Sequence, residues 1–162
     1  MKQLLQDLKK GEILLEEIPL PNCGANEVLI RTERSLISPG TERMLLEFGR
    51  SSYLQKAKQQ PDKVKMVMDK IKTDGLIPTM ETVFAKLGEP MPLGYCNAGV
   101  VIEIGQNVTE FKVGDRVVSN GAHSEIVAVG KNLVAKIPES VTFEQASFTV
   151  IASIALQGIR LF

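Results

Sequence analysis

The spacing of apolar and polar positions changes twice along this chain, from a period near two to one near 3.6 and back again. Over Glu12–Ile18 a short apolar run sits between glutamates and stops at Pro19 and Pro21, which cannot donate to a central sheet ladder. From Asn26 to Ile37 the alternation is clear. Val28, Ile30 and Thr32 take one face and Glu27, Leu29, Arg31 and Glu33 the other, as in a strand rich in β-branched residues. The cluster Ser38-Pro39-Gly40-Thr41 ends it, so this strand is expected to deliver a loop. Between Glu42 and about Gly88 the period lengthens. Val64, Val67, Met68 and Ile71 fall at i, i+3, i+4 and i+7, an amphipathic helix with Pro61 at its start and Gly75 just past its end. A second helix follows Pro78, with Met80, Val83, Phe84 and Leu87 on one face and Gly88 as its stop. A shorter one covers Glu42 to Phe48.

After Gly94 the strand pattern returns. Val100–Ile104, Arg116–Val118, His123–Val129 and Leu133–Ile137 are separated by turns at Gly105-Gln106-Asn107, Gly114-Asp115 and Gly130-Lys131-Asn132. Short strands between glycine-rich turns predict a barrel or sandwich rather than a parallel α/β sheet. Thr142 to Phe162 reads as one helix, capped by Ser140 or Thr142, with Glu144 favoured in its first turn. Its interior, Ala146 through Leu156, is almost wholly apolar or small, and such a helix is expected to be buried. The chain stops soon after, which suggests a piece of something longer. The fold class expected is α+β, mainly β with helices.

Composition narrows the function classes. The 162 residues favour one domain, and 44% apolar with 23% charged residues is the balance of a globular protein. Nineteen basic residues offset nineteen acidic ones, so the net basic field of a nucleic-acid binder is missing. Locally, Arg50 to Gly75 holds seven basic and three acidic residues, either a solvated helix face or a contact surface for an acidic partner. No apolar run approaches the roughly 20 residues of a membrane span. The polar start, Met1 to Asp7, is not a secretory signal. Cys23 and Cys96 have no metal-knuckle spacing and read as reduced thiols of a cytoplasmic protein. His123 is the single histidine, which excludes any mechanism built on a histidine pair.

Several stretches, taken in order, resemble the medium-chain dehydrogenase/reductases. Ile37-Ser38-Pro39-Gly40-Thr41-Glu42 is similar to the loop that reads roughly G-I-C-G-T-D in their zinc members. Pro92-Leu93-Gly94-Tyr95-Cys96-Asn97-Ala98-Gly99-Val100-Val101 resembles the L-G-H-E-x-x-G-x-V segment. Val108 to Val118 resembles the V-x-x-F-x-x-G-D-x-V turn, Gly121 to Glu125 the G-x-x-A-E element, and Ile137-Pro138 with Phe143-Glu144-Gln145-Ala146 the I-P…F-E-x-A element. The stretch from Glu42 to Met91 carries none of these motifs. The resemblance implies a GroES-like, partly open β-barrel over residues 1–140 with a helical insertion at about 42–90. Residues 141–162 would then be a helix linking to a nucleotide-binding domain of the same polypeptide. No G-x-G-x-x-G after a strand occurs in the chain, so the NAD or NADP that the family uses would be bound mainly by that absent domain. The chain alone is expected to be inactive.

By the same resemblance, the three catalytic zinc ligands fall at Pro39, Tyr95 and Val150. Proline and valine cannot ligate, and tyrosine is an uncommon zinc ligand. The family's structural zinc needs four close cysteines that the chain does not have, so no zinc of either kind is expected. A carbonyl oxygen would then be polarised by hydrogen-bond donors, and the candidate catalytic residues are Thr41 and Tyr95. Thr41 matches the hydroxyl that relays the substrate proton in zinc alcohol dehydrogenases, and it equally suits the cap of a helix starting at Glu42. Tyr95 is either an oxyanion-type donor or a packing residue. Cys96 reads as a buried thiol or, alternatively, a metal ligand; His123 reads as a surface or packing histidine or a site residue. The function expected is the substrate-side domain of a zinc-independent NAD(P)-dependent oxidoreductase acting on a small molecule. The loop and helical insertion also resemble a subgroup of two-part oxidoreductases and, more distantly, dehydrogenases of bacteriochlorophyll precursors. A non-catalytic GroES-like interaction module is the alternative, and a co-chaperonin subunit fits less well because its assembly has no place for the long helices. Homo-oligomer formation stays open, since the family usually dimerises through the domain missing here.

Overall fold

The structure, a computed structural model, describes residues 1–161; Phe162 and the side chain of Leu87, each part of an expectation above, lie outside the described residues. In chain order the elements are β1 (Lys2–Asp7), β2 (Glu12–Glu17), β3 (Glu27–Ser35), α1 (Pro39–Arg50), α2 (Tyr53–Gln59), α3 (Pro61–Asp74) and α4 (Leu76–Gly88). Then come β4 (Met91–Pro92), β5 (Asn97–Ile104), β6 (Arg116–Ser119), β7 (Ile126–Gly130), β8 (Val134–Lys136), α5 (Phe143–Ala146) and α6 (Thr149–Arg160). The strands form a three-stranded sheet, β2-β1-β4, and a five-stranded sheet, β7-β3-β5-β6-β8. The fold is α+β and GroES-like, with two antiparallel sheets that do not close into a barrel. The chain divides into two compact units. One holds Met1–Leu4, Leu15–Ser38 and Pro92–Phe162; the other holds Leu5–Leu14 and Pro39–Met91.

The first unit is built on the five-stranded sheet. Val28, Ile30, Val101, Val108, Val117, Val127 and Val129 form its main core, with Ile104, Phe111 and Val134 packed against it. Valine and isoleucine dominate because a branched side chain fits a pleated surface with little loss of rotamer freedom. The alternation expected in β3 breaks at two points, between Leu29 and Ile30 and between Thr32 and Arg34. The first register shift re-aims the chain, and Leu29 is buried together with its neighbours Val28 and Ile30. Next to it, Thr32 lies opposite Gly99. A Cβ on Gly99 would collide with the Arg31 carbonyl oxygen, so the close pairing of β3 with β5 requires glycine there.

β1, β4 and α2 go beyond the elements expected. β1 hid because its buried positions are polar, Gln3 and Gln6, so no apolar alternation marks it. α4 begins at Leu76, with Pro78 in its first turn, where a missing N–H removes no intrahelical bond. The terminal helix is two helices. Thr142 caps α5 through a reciprocal box with Gln145, and the Ser147 hydroxyl donates to the Glu144 carbonyl at 2.7 Å just where α5 stops. Burial of α6 is also corrected. Ala146 at the end of α5 is buried with Ala98, Val118 and Ile137, but no residue of α6 is, and Ile154 and Ile159 are exposed.

In the second unit the apolar stripe of α3 is only half used. Val67 and Ile71 are half-buried, whereas Val64 and Met68 are exposed, and α3 packs mainly along α2 and α4. The stretch read as a solvated basic face contains one buried cation. Lys56 Nζ donates to the carbonyls of Leu8 and Gly49, both at 2.8 Å, and lies over the rings of Phe48 and Tyr53. Burial holds its pKa below the usual lysine range, with the Asp7 carboxylate acting in the opposite sense.

The Val113-Gly114-Asp115 turn is pinned by charge. The Asp115 carboxylate accepts from Lys136 Nζ at 2.9 Å and from the Lys112 N–H at 3.0 Å. The Lys136 bond, with the Lys112 N–H in support, holds the Asp115 carboxyl below the ordinary aspartate range. A lowered carboxyl pKa adds stability above the unfolded value, and that stability is lost as pH falls through the folded value. Asp115→Asn should therefore cost about 1–2 kcal/mol near neutral pH. The gap should close as both proteins are acidified below about pH 3.8, the ordinary aspartate value, measured by thermal unfolding across the pH range.

Candidate active site

The strand β3 and the segment between β4 and β5 carry the candidate residues. Asn97 opens β5 opposite Ser35 and is paired with Ser119 of β6. Its side-chain amide donates to Thr32 Oγ1 at 2.6 Å, and its carbonyl oxygen accepts from Ser119 Oγ at 3.3 Å. Ser119 Oγ in turn accepts from the Gly121 N–H at 3.2 Å. Asn97 and Ser119 are almost wholly buried, so this chain of polar groups across three strands satisfies donors and acceptors that water cannot reach.

One end of the chain meets a shallow groove. It has a volume of about 330 Å³ and is bordered by Thr32, Ser35, His123, Ser124 and Glu125, with Lys2 to Leu4 and Leu15 completing the wall. His123 is 6% exposed, so it is not a surface histidine. Its Nδ1 lies 2.9 Å from Ser35 Oγ. Its ring lies against Gly94, whose φ of +94° belongs to the left-handed region.

Tyr95 follows that glycine and is half-buried; Cys96, next in sequence, is fully buried and free of any disulfide. The Cys96 carbonyl accepts from the Leu36 N–H at 3.0 Å, so the backbone just after Tyr95 is tied to the end of β3. Thr41 belongs to the second unit and Tyr95 to the first. The expected helix boundary moves. α1 begins at Pro39, favoured at a first helical position, so Thr41 stands inside the first turn instead of capping a helix from Glu42. Thr41 is exposed and Glu42 buried. Pro39 is exposed, and Val150 is half-buried in α6.

Among the described residues, no three of the His, Cys, Asp and Glu side chains converge as a metal site would require. No described helix is long and apolar enough to cross a membrane. Sequence reading named Thr41, Tyr95, Cys96 and His123 but missed Thr32, Ser35, Asn97 and Ser119. Their hydroxyls and amide are ordinary strand residues in the sequence. Only the register aligns them. Asn97→Ala should leave the Thr32 and Ser119 hydroxyls without their shared partner and lower stability by about 2–3 kcal/mol, read as a fall in Tm.

Comparison with known proteins agrees with this geometry. Residues 67–139 match the alcohol dehydrogenase GroES-like domain family, a match that begins inside the stretch without recognisable motifs. A dehydrogenase of Aspergillus niger, orf1, is 34% identical over 163 residues, covering 93% of this chain and 38% of that protein. The fold superimposes on 2R,3R-butanediol dehydrogenase from Bacillus subtilis with a TM-score of 0.65 at 19% identity, over 98% of this chain and 46% of that one. It superimposes on the Escherichia coli quinone oxidoreductase complexed with NADPH with a TM-score of 0.59 at 19% identity, over 91% and 36%. The chain thus spans less than half the length of each of these proteins. Ordered motifs, family match and shared fold identify it as a member of the medium-chain dehydrogenase/reductase superfamily, carrying that superfamily's GroES-like domain.

Proposed function

We propose that this chain is the substrate-side domain of a zinc-independent, NAD(P)-dependent oxidoreductase, completed by a nucleotide-binding domain of the same polypeptide. The observation that carries this reading is the identity of three residues. By the motif resemblance, Pro39, Tyr95 and Val150 fall where the zinc members of the family keep their ligands, and Thr41 falls at the threonine of the proton relay. The named activities of the relatives, on a butanediol and on quinones, support a carbonyl or quinone substrate and its reduced form. In either case negative charge gathers on an oxygen during reduction.

The bound nicotinamide supplies the hydride chemistry. The chain has no glycine-rich strand-to-helix turn to cradle a pyrophosphate, which assigns most coenzyme contacts to the further domain. What this chain contributes is donors. The Tyr95 phenol can donate to the oxygen where charge develops, replacing the polarising metal. The Thr41 hydroxyl can both donate and accept, which is the property a proton relay needs. Neither role needs a metal.

The test uses the full-length protein that contains this chain. NADPH or NADH should bind with a change in reduced-nicotinamide fluorescence, and metal analysis should find far less than one zinc per chain. With 1,4-benzoquinone or 2,3-butanediol as probe substrate, Tyr95→Phe and Thr41→Val should each lower turnover at least about tenfold, roughly 1.4 kcal/mol of transition-state stabilisation. Stoichiometric zinc would overturn the metal-free reading. Absence of coenzyme binding would overturn the oxidoreductase reading and favour an interaction module.

A further inference from the structure

We infer that His123 is a positioning residue, one that fixes the Tyr95 phenol by bracing the backbone of Gly94. The inference rests on Tyr95 as the oxygen-polarising donor proposed above. Its evidence is a closed set of contacts within the first unit. The His123 N–H donates to the Leu93 carbonyl at 2.8 Å, the Leu93 N–H to the Leu4 carbonyl at 3.0 Å, and the Leu4 N–H to the His123 carbonyl at 2.9 Å. Three segments distant in sequence are thereby locked in one ring of hydrogen bonds. Tyr95 stands two residues from that ring.

The side chain completes the brace. A Cβ built on Gly94 would lie 2.5 Å from His123 Cδ2, so the imidazole fills the space beside the glycine that precedes Tyr95. Gly94 takes a left-handed φ of +94°, a conformation that glycine adopts freely and could also leave freely without support. The ring itself cannot swing away easily. It is buried, and Nδ1 is held at 2.9 Å by Ser35 Oγ. On the other side of Tyr95, the Cys96 carbonyl is tied to the Leu36 N–H. The backbone leaving Tyr95 is therefore held by the sheet, and the backbone entering it is held by His123. A donor misplaced by about 1 Å can lose of order a hundredfold in rate, which gives such a brace a kinetic consequence.

The experiment again uses the full-length protein, with 3-fluorotyrosine placed at position 95 and the same probe substrates. The wild-type protein should give one narrow fluorine resonance for position 95. His123→Ala should broaden or split it and lower kcat at least about tenfold, with KM changed less than about twofold. In a Tyr95→Phe background the same change should cost nothing further, because the group it positions is already gone. Ser35→Ala, which removes only the hydrogen bond to Nδ1, should move both readouts in the same direction by a smaller amount, and it decides the matter if His123→Ala does not fold. An unchanged resonance, or an equal loss of kcat with and without the Tyr95 hydroxyl, would overturn the role of His123 and leave Tyr95 in place. A Tyr95→Phe protein of full activity would overturn the donor reading itself, and the brace with it.

Discussion

The first unit depends on the approach of β5 to β3 at Gly99. Opposite Thr32 the two backbones come so close that a single methyl group would strike the Arg31 carbonyl. This closeness is what lets the Asn97 amide, two residues earlier, reach Thr32 on one side and Ser119 on the other. The valine core lies on the same strands, so apolar packing and the polar chain are fixed by one register. A one-residue slip would turn every one of these side chains to the opposite face.

The loop that leaves this register is held by backbone hydrogen bonds, beside which the His123 ring packs on Gly94. Leu4, Leu93 and His123 share a ring of amide hydrogen bonds, and Cys96 is tied to Leu36. Such bonds do not depend on side-chain identity. The residue between them can therefore change in type without altering the frame that presents it. That independence lets one scaffold present different chemistry at the same place.

The second unit follows a different rule. Its helices cover only part of their apolar stripes, and one of its buried charges, Lys56, is met by two carbonyl dipoles and two aromatic faces. A carbonyl belonging to the β1–β2 turn, Leu8, and one at the end of α1, Gly49, meet at that ammonium group. The basic composition of the segment reflects this internal use as well as solvated lysines. Exposed pairs such as Lys70–Asp74 and Lys72–Asp69 contribute little beyond solubility.

Periodicity alone determined the strands β2, β3 and β5 to β8 and the helix α3, because a two-residue or 3.6-residue repeat of apolar side chains is a local consequence of burying one face. Three-dimensional structure decided the rest. β1 carries glutamines where a strand usually shows valines, so only its partners reveal it. Helix breaks near Ser147 and the start of α1 at Pro39 turn on hydroxyl and proline geometry that a hydrophobic pattern does not register. Above all, Thr32, Ser35, Asn97, Ser119 and His123 are dispersed over some 90 residues of sequence and meet only through strand register and loop closure. A sequence states which groups can bond, and long-range pairing alone states which of them do.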